Sequence, residues 1–337
     1  MLTPRFGRYL AAMLCCATLL GAPAAHAEQV VVYTARIEQL IKPMFDVFTK
    51  DTGIAVKFVT DNEGALLARL KAEGKNTPAD MLITVDAGNL WEAARAGLLQ
   101  PVESKTLDAN IPTHLRDPQK QWFGLSVRAR TMVYNTQKVK PGELSTYEDL
   151  AEPKWKGRLC LRSSKKVYNQ SLVAMMIAEH GEAKAEQIVR GWVANLATDP
   201  LSDDTRAMEF VAAGKCDVTL VNTYYYGRLL AKNPASPLAI FWPNQAGSGV
   251  HVNVSGAGIT KYAKNEAAAI KLLEFLSMEK AQHLYAEVNM EYPVNPRIKP
   301  DEVVAAWGSF KQNPMNVATA GELQAAAVKL MDRAGYR

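Results

Sequence analysis

QVVVYTARIEQLIKPMFDVFTKDTG, residues 29–53, is the stretch that decides the fold class. Val30, Val31 and Val32 form an uninterrupted apolar run of the kind a buried strand carries. After Ala35 the period changes, and Leu40, Ile41, Met44, Phe45 and Phe48 recur at helical spacing, with Gly53 as the stop. The same alternation continues downstream: a strand over 55–59, a helix over 64–73, a strand over 81–85 running into Asp86, and a helix opened by Gly88 that carries Leu90, Trp91, Ala94 and Leu98. Three β-α units in succession predict an α/β protein with largely parallel sheets.

Upstream of that stretch, Arg5 and Arg8 precede an apolar run over 10–20 and the small-residue triplet Ala25, His26, Ala27. This is the grammar of a cleavable secretory signal peptide over residues 1–27. The run is shorter than the ~20 apolar residues that span a bilayer. Cys15 and Cys16 lie inside the run without the small residue that a lipid-accepting cysteine needs before it. Cleavage removes the two arginines and no acid, which lowers the formal net charge from +5 to +3. Basic and acidic residues are interspersed in nearly equal numbers, which argues against nucleic acid as a partner. Two cysteines remain, Cys160 and Cys216; in an oxidising compartment they read as one disulfide, or else as two buried thiols.

Residues 122–135 alternate as a long strand, with Arg128 and Arg130 on one side, and a strand of that length can cross between domains. Beyond it come a strand over 158–162, helices over 170–180, 183–195 and 205–213, and a strand over 218–221. The segment 251–260 reads as a strand returning to the first domain, followed by helices over 267–276, 279–288 and 320–334. The predicted division is an N-terminal α/β domain of residues 28–128 plus 253–305 and a C-terminal one of 129–252 plus 306–337.

Enzyme signatures are missing: the chain has no phosphate loop, no dinucleotide fingerprint and no nucleophile elbow. Its histidines are scattered without the spacing of a zinc signature. The unusual cluster is Asn222, Thr223, Tyr224, Tyr225, Tyr226, Gly227, where a strand gives way to a helix. Neighbouring side chains diverge, so three adjacent tyrosines cannot all face one core. Either they make an aromatic turn with backbone-bonded hydroxyls, or some face a cleft. A phenolate is a hard anionic oxygen donor suited to a highly charged cation such as Fe³⁺. Tyr168 stands at a second strand-to-helix junction, among Ser163, Ser164, Lys165 and Lys166, and serves as an aromatic anchor or as a cleft residue. The guanidiniums of Arg128 and Arg130 serve salt bridges or hold a small oxyanion bidentately. Arg36 and Glu38 follow the first strand at the same kind of edge.

Taken together, VVVYTAR at Val30, PADMLITVDAGNLWEA at Pro78, LSVRARTMVYN at Leu125, LCLRSSKKVYNQSL at Leu159, VNTYYYG at Val221, HVNVSGAGITKYAKN at His251 and AIKLLEFLS at Ala269 resemble the periplasmic ferric ion-binding proteins of bacterial iron transporters. The resemblance covers essentially the whole mature chain. It implies the class II periplasmic binding protein fold, with two α/β domains joined by hinge strands around a ligand cleft. It also implies a periplasmic monomer that hands Fe³⁺, free or chelated, to an inner-membrane ABC permease with its ATPase. The family's tyrosine pair falls on Tyr224 and Tyr225, and the third tyrosine of one branch on Tyr168. The R-x-R pair falls on Arg128 and Arg130, with Arg128 favoured as the contact to a synergistic anion such as carbonate. Where many members have a histidine, sometimes followed by a tyrosine, this chain has Ile37 and Glu38, and a glutamate ligand of some relatives aligns with Val85, beside Asp86. The alternative is a binding protein of the same fold for an organic cation such as a polyamine; an enzyme on this scaffold is the third reading.

Overall fold

The computed structural model describes residues 28–337, so the expected signal peptide lies outside the described residues. Nine strands carry the architecture: β1 (Gln29–Thr34), β2 (Ala55–Thr60), β3 (Met81–Val85), β4 (Phe123–Asn135), β5 (Leu159–Cys160), β6 (Val218–Asn222), β7 (Leu238–Phe241), β8 (Val252–Ile259) and β9 (Tyr292–Pro293). They run in the order β2-β1-β3-β8-β4-β6-β5, with β7 and β9 also on β4. The parallel pairs β2-β1-β3 come from the successive β-α units, while β8 enters antiparallel between β3 and β4.

β4 is the element that makes two lobes out of one chain. All 13 of its residues are buried. Its first half, through Ala129, pairs with β8, and its second half, from Arg130, pairs with β6. The apolar cores sort the same way. One cluster joins Val30 through Ala129 with Val250 through Ala318, and others hold Met132 through Leu238 with Ala327 through Tyr336. Val317 and Ala318 pack with the first lobe, so the chain returns to the second lobe later than residue 306. No helix among the described residues is long and apolar enough to cross a membrane.

Differences from the sequence expectation sit at element ends. The strand expected over 158–162 forms its ladder only at Leu159–Cys160, because Arg162 turns aside to a single bridge with Leu201. The helix expected from residue 170 begins at Val167, which moves Tyr168 from the junction into the first turn. The C-terminal helix is two pieces, Ala318–Glu322 and Gln324–Arg333, with Leu323 between them. Gly321 lets the first piece lie close against Trp91: a Cβ there would stand 2.4 Å from that side chain. Cys160 and Cys216 form a disulfide with Cα atoms 5.9 Å apart. It closes a loop across 56 residues, worth ~4 kcal/mol in the chain-entropy picture.

Candidate functional site

Between the lobes lies a cavity of about 680 Å³. The first lobe supplies residues 35–40, where β1 passes into the helix Glu38–Thr52, and residues 60–63, where β2 passes into the helix Glu63–Glu73. The second lobe supplies Lys166, Tyr168, Tyr224, Tyr225 and Arg228. Both walls are therefore strand-to-helix edges, where open α/β sheets bind their ligands.

The tyrosine cluster divides because its helix starts at once. Asn222 ends β6 and the helix Thr223–Lys232 follows without a loop, so successive tyrosines point about 100° apart. Tyr226 turns into the core, edge-on to Trp307 and with its hydroxyl 3.5 Å from the Leu238 carbonyl. Tyr224 turns towards the helix Val167–His180, where its hydroxyl donates to the Tyr168 hydroxyl at 3.2 Å. Asn222 Nδ2 donates to the same Tyr224 oxygen at 3.3 Å. Tyr225 lies against Tyr224, ring centroids 4.3 Å apart, and also lines the cavity. Three phenols from two helices of one lobe thus converge on one wall.

Positive charge surrounds these rings. The Arg128, Arg162 and Lys166 cations lie 5.8, 5.4 and 5.4 Å from the Tyr168 centroid, and Arg228 lies 4.9 Å from that of Tyr224. Burial raises the Tyr168 phenol above its ordinary value, reinforced by Tyr225 and opposed by Arg128. Burial, then the neighbouring Tyr168 and Tyr225, raises Tyr224 as well. Both phenols therefore keep their protons at neutral pH.

The two arginines of β4 have different duties. Arg130 is bonded through both Nη atoms to Asp204, at 2.5 and 3.2 Å, and through Nε to Asn169 at 3.0 Å. Asp204 is fully buried and also accepts from Arg162 and from the Asn222 backbone N–H. Neither arginine lines the cavity, but both Nη atoms of Arg130 are taken by Asp204, so the expectation that it contacts an anion gives way to an internal ion pair that anchors Asn222 beside the tyrosines. Breaking such a buried pair typically costs ~3–5 kcal/mol. Arg128 donates through Nη1 to Ser255 at 2.8 Å, and its buried Nε and Nη2 meet no protein acceptor among the described residues.

Asp86 is buried, and burial raises its carboxyl pKa against the pull of Arg128. It caps the helix Ala87–Arg95 and accepts from Ser171 at 2.7 Å, a contact across the lobes, and it does not line the cavity. Arg36 does line it but is held by Glu291 at 3.2 Å and by Ser255 at 2.5 Å. Although burial alone would raise it, Arg36 and then Arg128 hold the Glu291 carboxyl below the usual range. Glu38 is exposed on the opposite cavity wall, at the first turn of its helix. Sequence reasoning missed two features of the wall. Arg228 follows Tyr224 by four residues, so the helical repeat itself pointed to it. The ion pair between Lys166 and Glu63, at 3.0 Å, joins the lobes across 103 residues and left no sequence signal.

A crossing strand, two lobes and a polar cleft between strand-to-helix edges define a two-domain periplasmic binding protein. The chain belongs to the bacterial extracellular solute-binding protein family, which it matches over residues 76–309, and within it to the periplasmic ferric ion-binding proteins. It is 44% identical to iron uptake protein A1 of Synechocystis, covering 92% of this chain and 88% of that protein. A Trichodesmium structure in complex with iron and citrate ligands superposes with a TM-score of 0.89 at 46% identity, covering 92% of this chain and all of that one. The ferric iron-binding protein A of Mannheimia haemolytica in an open conformation gives 0.87 at 41% identity, covering 92% and 99%.

Proposed function

We propose that this protein captures Fe³⁺ in the periplasm through Tyr168, Tyr224 and Tyr225 and delivers it to an inner-membrane ABC permease and its ATPase. The observation that carries the reading is the convergence of the three phenols on one cavity wall, with the hydroxyls of Tyr168 and Tyr224 3.2 Å apart. Two neutral phenols at that distance share one hydrogen bond; as phenolates they would repel, and a tricationic ion between them converts the repulsion into ligation. Three phenolates cancel the formal charge of the ion, which suits a site cut off from water. Arg128, with two unpartnered nitrogens behind Tyr168, is the group that would hold a synergistic anion such as carbonate. Closure of the first lobe over the iron presents the loaded form to the permease. The exported chain acts as a monomer and turns over no substrate.

The test is a visible spectrum of the stripped mature protein titrated with ferric citrate, beside a Tyr224→Phe, Tyr225→Phe variant. A phenolate-to-iron band that saturates at one ion per chain and vanishes in the variant is expected. No band in the unsubstituted protein would overturn the reading and turn attention to polyamines, which need carboxylates and ring faces but no deprotonation.

A further inference from the structure

A second set of metal-ligating side chains meets away from the cleft. Glu179 and His180 end the helix whose first turn holds Tyr168, ~18 Å further along it, and Glu148 opens the short turn Glu148–Ala151. One ligand atom from each of the three lies within 4.8 Å of the other two. His180 Nε2 is 2.8 Å from Glu148 Oε1 and 3.8 Å from Glu179 Oε2. A tetrahedral ion with ligands at about 2.0–2.2 Å sets its donors about 3.3 Å apart, so both separations are within about half an ångström of that spacing.

The two carboxylates are oriented from outside the trio. Asn244 Nδ2 donates to Glu148 Oε2 at 3.1 Å, Ser248 Oγ donates to Glu179 Oε2 at 3.3 Å, and Asn313 Nδ2 donates to Glu179 Oε1. Outer donors of this kind fix ligand geometry in metal sites. A cavity of about 390 Å³, bounded by Glu179, Ser248, Asn313 and Met315, opens on Glu179 of the trio and has room for water. Lys311 shares that cavity, but its ammonium donates to the Gly247 carbonyl at 2.6 Å.

We propose that Glu148, Glu179 and His180 bind one divalent ion of the zinc type through two carboxylates and the imidazole Nε2, with water as the fourth ligand. The location gives the ion a consequence. Asn244 and Ser248 lie on the segment between β7 and β8, where the chain crosses between lobes, and Asn313 lies on the segment that leads back to the C-terminal helices. An ion that fixes Glu148 and Glu179 fixes both connections and stiffens the hinge.

The experiment uses the mature chain carrying Tyr224→Phe and Tyr225→Phe, so that two of the three proposed ferric ligands are gone. Zn²⁺ is titrated against a chromophoric zinc chelator at about pH 7.5, with circular dichroism confirming the fold of each variant. One equivalent of Zn²⁺ is expected, with affinity lowered at least ~10-fold by adding His180→Ala and again by adding Glu179→Gln instead. His283→Ala, at an exposed histidine beside Glu279, should leave the titration unchanged. No competition with the chelator, or equal uptake in the His180→Ala protein, overturns the proposal. The ferric band of the unsubstituted protein is read separately, so either reading can fail without the other.

Discussion

Capture of iron by three phenols has to expel three protons, and the structure shows where two of them start. Burial, against Arg128, holds protons on Tyr168 and Tyr224 at neutral pH. A third phenol that ligates the ion exchanges its O–H proton for the metal in the same way. Each proton released makes the apparent affinity fall tenfold, ~1.4 kcal/mol, for every unit by which the pH drops. Three protons make that ~4 kcal/mol, or about a thousandfold between pH 7.5 and 6.5. Tyr224→Phe removes one ligand and one proton, so its affinity is lower throughout but falls only about a hundredfold over the same interval. The assay is iron partitioning between protein and a competing chelator at several pH values. The chelator's own protonation is common to both proteins and cancels in the comparison. Slopes that differ by one proton are the expected result. Identical slopes would remove Tyr224 from the ligand set, and a protein slope near zero would refute phenolate ligation altogether.

Two further outcomes follow from groups outside the phenols. Glu63→Gln breaks the Lys166 pair that joins the lobes. An incompletely buried pair is worth ~0.2–1 kcal/mol, so iron release to excess chelator, followed at the visible band, should speed up by a factor of about 1.4 to 5 at low ionic strength. That difference should shrink in high salt; equal rates at low salt would show the pair to be idle. His251, at the start of the crossing into β8, is pushed down to about 3 by burial and then by Arg130 and Arg128. The unfolded chain takes up a proton near pH 6.5 that the folded one refuses, so stability present above that pH is lost as pH falls towards 3. Between pH 7 and 5 the loss is ~2 kcal/mol, and urea titrations at the two values should find it absent in His251→Gln.

The β-α rhythm was legible in the sequence because each unit carries its period in contiguous residues, as Val30 to Phe48 do. The three tyrosines could be singled out for a similar reason: their types are unusual where strands end. What contiguous residues do not carry is which side chain already has a partner. Asp204 lies just before the helix expected over 205–213 and carried no signal of its own, yet it is the acceptor that takes Arg130. Glu291 occupies Arg36 from 255 residues away. Glu63 and Lys166 meet only because the lobes face each other.

The R-x-R pair shows the limit most clearly. Two residues apart on a strand, Arg128 and Arg130 share a face, and on that ground alone they are equivalent. Register separates them, because β4 changes partners between them. Arg130 lies opposite Asn222 of β6, and Arg128 lies opposite Asn253 of β8. The first arginine outward from that change is therefore surrounded by second-lobe acceptors, and Asp204 neutralises it. The other meets the Ser255 hydroxyl from the first lobe and keeps two nitrogens unpartnered behind the Tyr168 ring. Two buried carboxyls, Asp86 and Glu291, feel its charge and offset part of the cost of burying it. Phenolates formed on iron binding, or a small anion beside them, would add to those charges. The hinge strand thus does more than connect the lobes: it carries a guanidinium to the back of the tyrosine wall, where it joins Arg162, Lys166 and Arg228 in a positive field that favours a phenolate over a phenol.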